Sequence, residues 1–598
     1  MSNEFSKIDA DRRILSDAHQ KGKVATVGAF FRLSGPGWLQ SAITLGGGSL
    51  GSALFLGMLS GYSLLWVQLV AIIVGVIMLS AISYVTLSTG KRPYQAINEH
   101  INPVLGVGWL AATVMANMIW IMPQFSLCFD VLETNLGGEQ IHDTTQTKII
   151  ASVVMFLLAA GMILLSVRGG LLSRLFDLFL KLMVAMIVVC FVGVVVYLFA
   201  KGHINAEVFY GFIPDLTQWS RPSGKIGELI QSLPVDKQQV WNDRLANTQQ
   251  MTIIASAATA VGINMTFLLP YSMLNRGWDK PFRGLARFDL ITGMAIPYIL
   301  VTSCIVIASA YSFHATADKN LLSDDPAVIS TSPVYSIGGG VRAQIDAELP
   351  VDKGQKKLSD VALMPETTAE EKTVKAAAIE AREAAILTHV ASLSPAERTL
   401  YVSQVKPNTA MLAQALVPLL GKQRANLLFG IGVFGMGFST IVVLMMINGF
   451  AFREMFNMPD NQWVGVFGAL LAGVVGVCWI WIWTGPSKPW ITVMASIFGA
   501  MLLPIAYVTF MAMMNSRSLL GAEKPTGLRM IVWNILMAFG VIAATANAVM
   551  AIQKEFSGTY GMAVIGVAGT FLVLALIGFS ARPQVVTVAP QPEQNRRS

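Results

Sequence analysis

Two short polar patches interrupt long apolar stretches of this chain, and both could seat a solute. The first is Thr44-Leu45-Gly46-Gly47-Gly48-Ser49. Consecutive glycines weaken a helix strongly. An extended backbone there would bare carbonyls on one side and amides on the other. Small residues also serve close helix packing, but three adjacent glycines do not share one helical face. The second patch is Asn264-Met265-Thr266-Phe267-Leu268-Leu269-Pro270. Pro270 removes a backbone donor and disfavours helix at the residue before it. Asn264 and Thr266 are polar in an otherwise apolar run, and either a proline kink or a full break accounts for the pattern. Irregular backbone inside a membrane is tolerated only around a cavity, and transporters often bind their cargo at such breaks near the midplane.

The elements that carry these patches are membrane helices. Hydrophobic residues make up 54% of the chain and charged residues 13%, against about 25% charged in soluble proteins. From Leu33 to Gly90 there is no Asp, Glu, Lys, Arg or His. A spanning helix needs roughly 20 apolar residues, so this stretch holds two spans divided near Ser60-Gly61. The same rule gives about twelve spans in all. They lie near 35–59, 62–88, 105–132, 148–167, 175–200, 251–274, 287–311, 424–451, 462–484, 489–514, 528–551 and 559–580. The expected class is an all-α polytopic membrane protein whose surroundings are the lipid bilayer.

The net charge of +7 does not point to nucleic acid, because the basic residues sort by side of the membrane. Arg12, Arg13, Lys21, Lys23 and Arg32 precede span one. Lys91 and Arg92 follow span two, and Arg168 and Arg174 separate spans four and five. Arg276, Lys280, Arg283 and Arg287 follow span six, and Arg517, Lys524 and Arg529 follow span ten. All these loops fall on one face, which the positive-inside rule makes cytoplasmic together with both termini. The N-terminal segment has no cleavable signal pattern. The four cysteines, Cys128, Cys190, Cys304 and Cys478, fall inside spans and read as packing residues.

The expected organisation is a cytoplasmic segment over 1–32, spans one to seven over 33–314 with an outer loop at 201–250, an outer insertion over 315–410, spans eight to twelve over 411–581, and a Pro- and Gln-rich disordered tail over 582–598. The insertion carries a capping box at Thr368 and Glu371, a Glu371–Lys375 pair at helical spacing, and a second helix start at Ser394-Pro395-Ala396-Glu397. These predict a small two-helix cap, either a solvated decoration or a shield over the outer entrance.

The motifs between the patches resemble the Nramp family. Gly35-Pro36-Gly37 and Gly61-Tyr62-Ser63-Leu64-Leu65-Trp66 resemble its GPG opening of span one and its GYSLLW start of span two, at the same separation. Arg174 to Phe191, ending Val189-Cys190-Phe191, is similar to its fifth span. Phe288-Asp289-Leu290-Ile291 through Phe313-His314 is similar to its seventh. Leu503-Pro504 and Asn515-Ser516-Arg517-Ser518-Leu519-Leu520-Gly521 are similar to the end of its tenth. The resemblance implies a LeuT-like inverted repeat of two five-helix halves, broken at spans one and six, plus two C-terminal helices. It also implies divalent metal transport by alternating access.

The binding set this implies is Thr44, Gly46, Gly47, Gly48, Ser49, Gln124, Asn264, Met265 and Thr266, with Ser49, Gln124, Asn264 and Met265 on the metal. The chain departs from the family there. The family's Asp-Pro-Gly-Asn falls on Gly46-Gly47-Gly48-Ser49, its proton-linked Asp on Gln124, and its Met-Pro-His on Met265-Thr266-Phe267. Transition metals favour imidazole, thioether or carboxylate ligands; Mg²⁺ favours oxygen and keeps its waters. Proton coupling needs a titratable relay. The expectation is therefore a carrier of a divalent cation (Mn²⁺, Mg²⁺ or Fe²⁺) with altered selectivity and weak or no proton coupling. The ion is cargo rather than a resident cofactor.

Two other readings stand beside it. Glycine amides and a half-helix N-terminus would suit a small organic solute such as an amino acid or carboxylate, and a non-transporting sensor could keep the fold. No GxxxxGK[ST] loop or catalytic domain suggests an ATPase or another enzyme. Further candidates are Asp130 and Glu133, on the path or at the interface; Asp177 and Lys181, as an ion pair; and Ser439, Thr440 and Asn448, facing a cavity or bonding helices together.

Overall fold

The computed structural model describes residues 2–137, 141–167, 170–222, 224–336, 340–351, 356–362, 364, 368–406, 409, 413, 421–483, 488–555 and 559–580. Among the described residues there are helices and no strands. Ten helices among the described residues are long and apolar enough to cross a membrane, and the bent pair Pro36–Thr44 and Gly47–Ser60 makes up to eleven. The shorter apolar helix Ile565–Phe579 stands where a twelfth span is expected. The chain is an integral, multi-pass α-helical membrane protein. The tail and the Asp177 side chain lie outside the described residues.

Span one breaks at Leu45-Gly46. The first half ends as Leu45 N–H donates to the Ser41 carbonyl. Gly46 is extended (φ −96°, ψ −175°), and the chain restarts as a helix at Gly47, turned by 52°. Gly47 and Gly48 are therefore helical, and only the first of the three glycines is unwound.

Span six corrects the sequence expectation. Its halves are Val235–Ala260 and Ile263–Asn275, so the break lies at Val261-Gly262 and not across Asn264 to Pro270. Pro270 sits inside the second half, where its missing N–H costs one bond to the Thr266 carbonyl. The break includes Gly262, where packing admits no side chain: a Cβ there would lie 2.2 Å from the Trp120 ring of span three. The first half also begins far earlier than 251, so the loop expected over 201–250 is in part helix.

The two broken spans lie side by side with their halves exchanged. Gln40 Nε2, on the first half of span one, donates to the Met265 carbonyl in the second half of span six (3.2 Å). On the other side of the breaks, Ser60 Oγ donates to Gln249 Oε1 (3.2 Å). This pairing is what a two-fold inverted repeat requires.

The described residues of 224–245 and 321–405 share a separate apolar core, built on Ile226, Trp241, Leu245, Ile345, Ile386 and Leu400, which also takes in Leu59 of span one. They form a cap over one end of the bundle. Both expected helices are present, Ala369–Ser392 and Pro395–Val402, each with a complete capping box. The cap is larger than two helices, with Pro326–Ser330, Val341–Glu348 and Leu358–Ala362 added. Lys375 Nζ donates to the Ala362 carbonyl (2.8 Å).

The buried Arg382 holds the cap together. It meets Asp346 Oδ1 at 2.7 Å and donates to the carbonyls of Asp346, Leu349 and Pro350. Removing one partner of such a pair strands the other, at about 3–5 kcal/mol. Arg382→Ala should therefore cost that much in unfolding of the cap, read by limited proteolysis in denaturant. A loss below about 1 kcal/mol, the range of an exposed pair, would show the cap does not depend on it.

Candidate functional site

The break in span one is enclosed by four other spans. Gly47 N–H donates to Gln124 Oε1 of span three (3.0 Å). Ser439 and Thr440 of span eight reach the Ala42 carbonyl (3.0 and 3.3 Å). Thr492 of span ten lies 2.7 Å from the Gly47 carbonyl, and Met265 closes the side toward span six. They leave a cavity of about 30 Å³, lined by Gly46, Gly48, Ser49, Gln124 and Met265 with Ile43, Trp120, Thr259, Thr440, Thr492 and Ser496. That is the space of about one water molecule.

None of these lining residues is ionisable. Among the described residues, no group of three or more His, Cys, Asp or Glu gathers as a metal cluster. What the cavity offers is hydroxyl oxygen, the Met265 thioether and the Gln124 carboxamide, whose Oε1 is taken by Gly47, and the hydroxyls are the most numerous of these groups. Ser49 donates to the Thr44 carbonyl and Thr259 to that of Ser256. Thr440 donates to Met436, Thr492 to Pro489 and Ser496 to Thr492. A hydroxyl has one proton and two lone pairs. With each proton spent on main-chain carbonyls, the lone pairs remain, and they suit a cation. The Gly47 amide, which would suit an anion, is already spent on Gln124.

The expected residues separate into two groups. Gly46, Gly48, Ser49, Gln124 and Met265 line the cavity, and Gly47 walls it through both its backbone groups. Thr44 stands behind, its Oγ1 donating to the Gln40 carbonyl (2.9 Å) and lying 3.4 Å from Met265 Sδ. Asn264 and Thr266 do not line it. Asn264 Oδ1 accepts the Met265 N–H (2.8 Å), and Thr266 Oγ1 accepts from Trp109 Nε1 (3.0 Å).

Thr440 faces the cavity. Ser439 joins it in holding span one, and Asn448 ties span eight to the Gly468 carbonyl (2.7 Å). Asp130 lies elsewhere, accepting from Thr409 Oγ1 of the insertion (2.8 Å). Lys181 donates to the Ser34 carbonyl (3.2 Å). Sequence reasoning missed Thr259, Thr492, Ser496 and Trp120. Thr492 and Ser496 carry a faint signal, two hydroxyls one helical turn apart on an apolar span.

Two broken helices paired head to tail around a buried polar cavity define the fold class of secondary transporters. The sequence profile of the natural resistance-associated macrophage protein-like family, Nramp, matches residues 37–327 and 371–551. The chain belongs to that family. Its fold is similar to that of solved manganese transporter structures from Eremococcus coleocola. A histidine-to-alanine variant aligns at a TM-score of 0.57 and 12% identity, over 92% of this chain and 95% of that one. A complex with an aromatic bis-isothiourea substituted compound aligns at 0.56 and 12%, over the same shares. No curated protein matches by sequence.

Proposed function

We propose that this protein carries a divalent metal cation across the membrane by alternating access, with little or no proton coupling. The observation that supports this most is the set of cavity hydroxyls that each have a main-chain carbonyl to donate to, which leaves their lone pairs available to a cation. The family and the manganese-transporting structural neighbours point the same way. The amino acid and carboxylate reading is weakened by the Gly47 amide, which already donates to Gln124. Neutral oxygen with one thioether favours a hard ion such as Mg²⁺ more than the family's usual donors do. The positive-inside rule places the N-terminal side, opposite the cap, in the cytoplasm.

Reconstituted protein should take up Mn²⁺ or Mg²⁺ saturably without acidifying the vesicle lumen. Amino acid uptake with no metal flux would overturn the proposal, and lumenal acidification in step with metal entry would overturn its proton clause. With no titratable side chain on the cavity wall, uptake should change less than about twofold between pH 5.5 and 8, where one titrating ligand would move it about tenfold per pH unit below its pKa. A steep acid loss would point to a carboxylate or histidine in the path.

A further inference from the structure

Three amide side chains beside the cavity have no task in the binding site just described. Gln40 lies on the first half of span one, Asn117 on span three and Asn264 at the start of the second half of span six. Each is wholly buried. Gln40 Nε2 donates to the Met265 carbonyl, but among the described residues its Oε1 has no hydrogen-bond partner. Asn264 Oδ1 accepts the Met265 N–H, but its Nδ2 has none. Neither polar atom of Asn117 has one. Gln40 and Asn264 thus grip the backbone of Met265 from two sides. Asn117 shares a face of span three with Trp109 and Trp120. Trp109 bonds Thr266 and Trp120 abuts Gly262; Asn117 lies between these two residues along span three and, seven residues before Gln124, shares that residue's helix face.

Buried polar groups without partners destabilise a fold, and apolar side chains would serve packing better. The unpartnered atoms are of both kinds, oxygens on Gln40 and Asn117 and NH₂ groups on Asn117 and Asn264. A bare cation would use only the oxygens and an anion only the amides. Water uses both. Gln40 and Asn117 lie on the N-terminal side of the cavity, Asn264 borders it beside Met265, and Asn117 is seven residues, about 10 Å of helix, below Gln124.

We propose that Gln40, Asn117 and Asn264 form a second station, at which the cation regains water as it leaves the cavity toward the N-terminal side. This rests on the cation-transport reading. Divalent ions exchange their ligands reluctantly, so a path lined by neutral groups that can hold water eases the step.

The test uses the full chain in proteoliposomes, with Mn²⁺ and Mg²⁺ flux, metal binding by calorimetry, and thermal unfolding. Asn117→Leu should lower maximal flux tenfold or more, leave Kd within twofold of wild type, and leave Tm equal or higher, since an unmatched polar group is gone. Asn117→Gln should restore at least half the flux. Should the leucine variant misfold, Asn117→Ala reads the same step. Ser303→Ala, which removes another buried unpartnered hydroxyl on span seven, should leave flux unchanged. Wild-type flux in both Asn117→Leu and Asn117→Ala overturns the station, and so does a loss of flux matched by an equal loss of affinity. A wild-type protein that neither binds nor moves either metal overturns the cation reading itself, a result distinct from both.

Discussion

A Gly46→Asp, Thr440→Ala double variant should bind Mn²⁺ at least tenfold more tightly than wild type, about 1.4 kcal/mol. The single Gly46→Asp variant should gain much less. Gly46 is the unwound residue of span one, and its φ of −96° suits any side chain. The obstacle is packing. A Cβ at Gly46 would lie 2.5 Å from Thr440 Oγ1, 3.3 Å from its Cγ2 and 3.0 Å from the Ile43 carbonyl. Removing the Thr440 hydroxyl clears the nearest clash at the expense of its bonds to the Met436 and Ala42 carbonyls.

The carboxylate would then bring the only negative charge into a wall of neutral oxygens, and transition ions favour such a ligand. It would also bring pH sensitivity. Protons compete with the metal for a carboxylate, so the variant's affinity should fall as pH drops through the new group's pKa, while wild-type affinity stays flat. Calorimetric titration with Mn²⁺ at two pH values reads both effects. Wild-type affinity in the double variant would mean that Gly46 does not face the bound ion.

The parts of this molecule that local sequence dictates were legible, and those that tertiary contacts dictate were not. Apolar length gave the order of the spans, and the glycine run gave the break in span one. Thr368–Glu371 and Ser394–Glu397 gave both helix starts of the cap, because a capping box is closed within four residues. Span six shows the limit. Pro270 was the loud local signal, yet a helix in a tight bundle tolerates one missing bond. The break sits instead where Gly262 meets Trp120, a contact across 142 positions of chain that no local pattern displays.

The cavity divides along the same line. Asn264 and Thr266 look like ligands on paper, but their side-chain oxygens are spent on Met265 and Trp109. Thr259, Thr492 and Ser496 do line it, yet hydroxyls inside helices usually bond the preceding turn and mark no site by themselves. Which of them also presents lone pairs to a shared space depends on how spans six and ten are rotated.

Asp289 is the other residue whose weight the sequence hid, and Asp289→Ala should cost at least about 3 kcal/mol in stability, since each stranded buried donor costs about 1–3 kcal/mol. Asp289 is buried on span seven. Its carboxylate accepts the Ser34 hydroxyl, the Gly35 N–H (3.2 Å) and the Gly37 N–H (2.6 Å). These are the groups left open at the start of a helix, here the first half of span one, and a negative charge at that end is favoured by the helix dipole as well.

Asp289→Asn keeps an acceptor but loses the charge, so its cost should be intermediate. Gly37→Ala should be as damaging as Asp289→Ala by the opposite route. A Cβ there would lie 2.0 Å from the Asp289 carbonyl oxygen and 2.5 Å from its carbon, and backbone atoms cannot step aside as a side chain can. Both lesions release the half-helix whose far end carries Thr44 and leads into the break, so metal uptake should fall with Tm in the order Asp289→Asn, then Asp289→Ala and Gly37→Ala. Melting of the purified variants, paired with Mn²⁺ uptake, tests the order. An Asp289→Ala protein that melts with wild type would mean that span one is held in place by its packing alone.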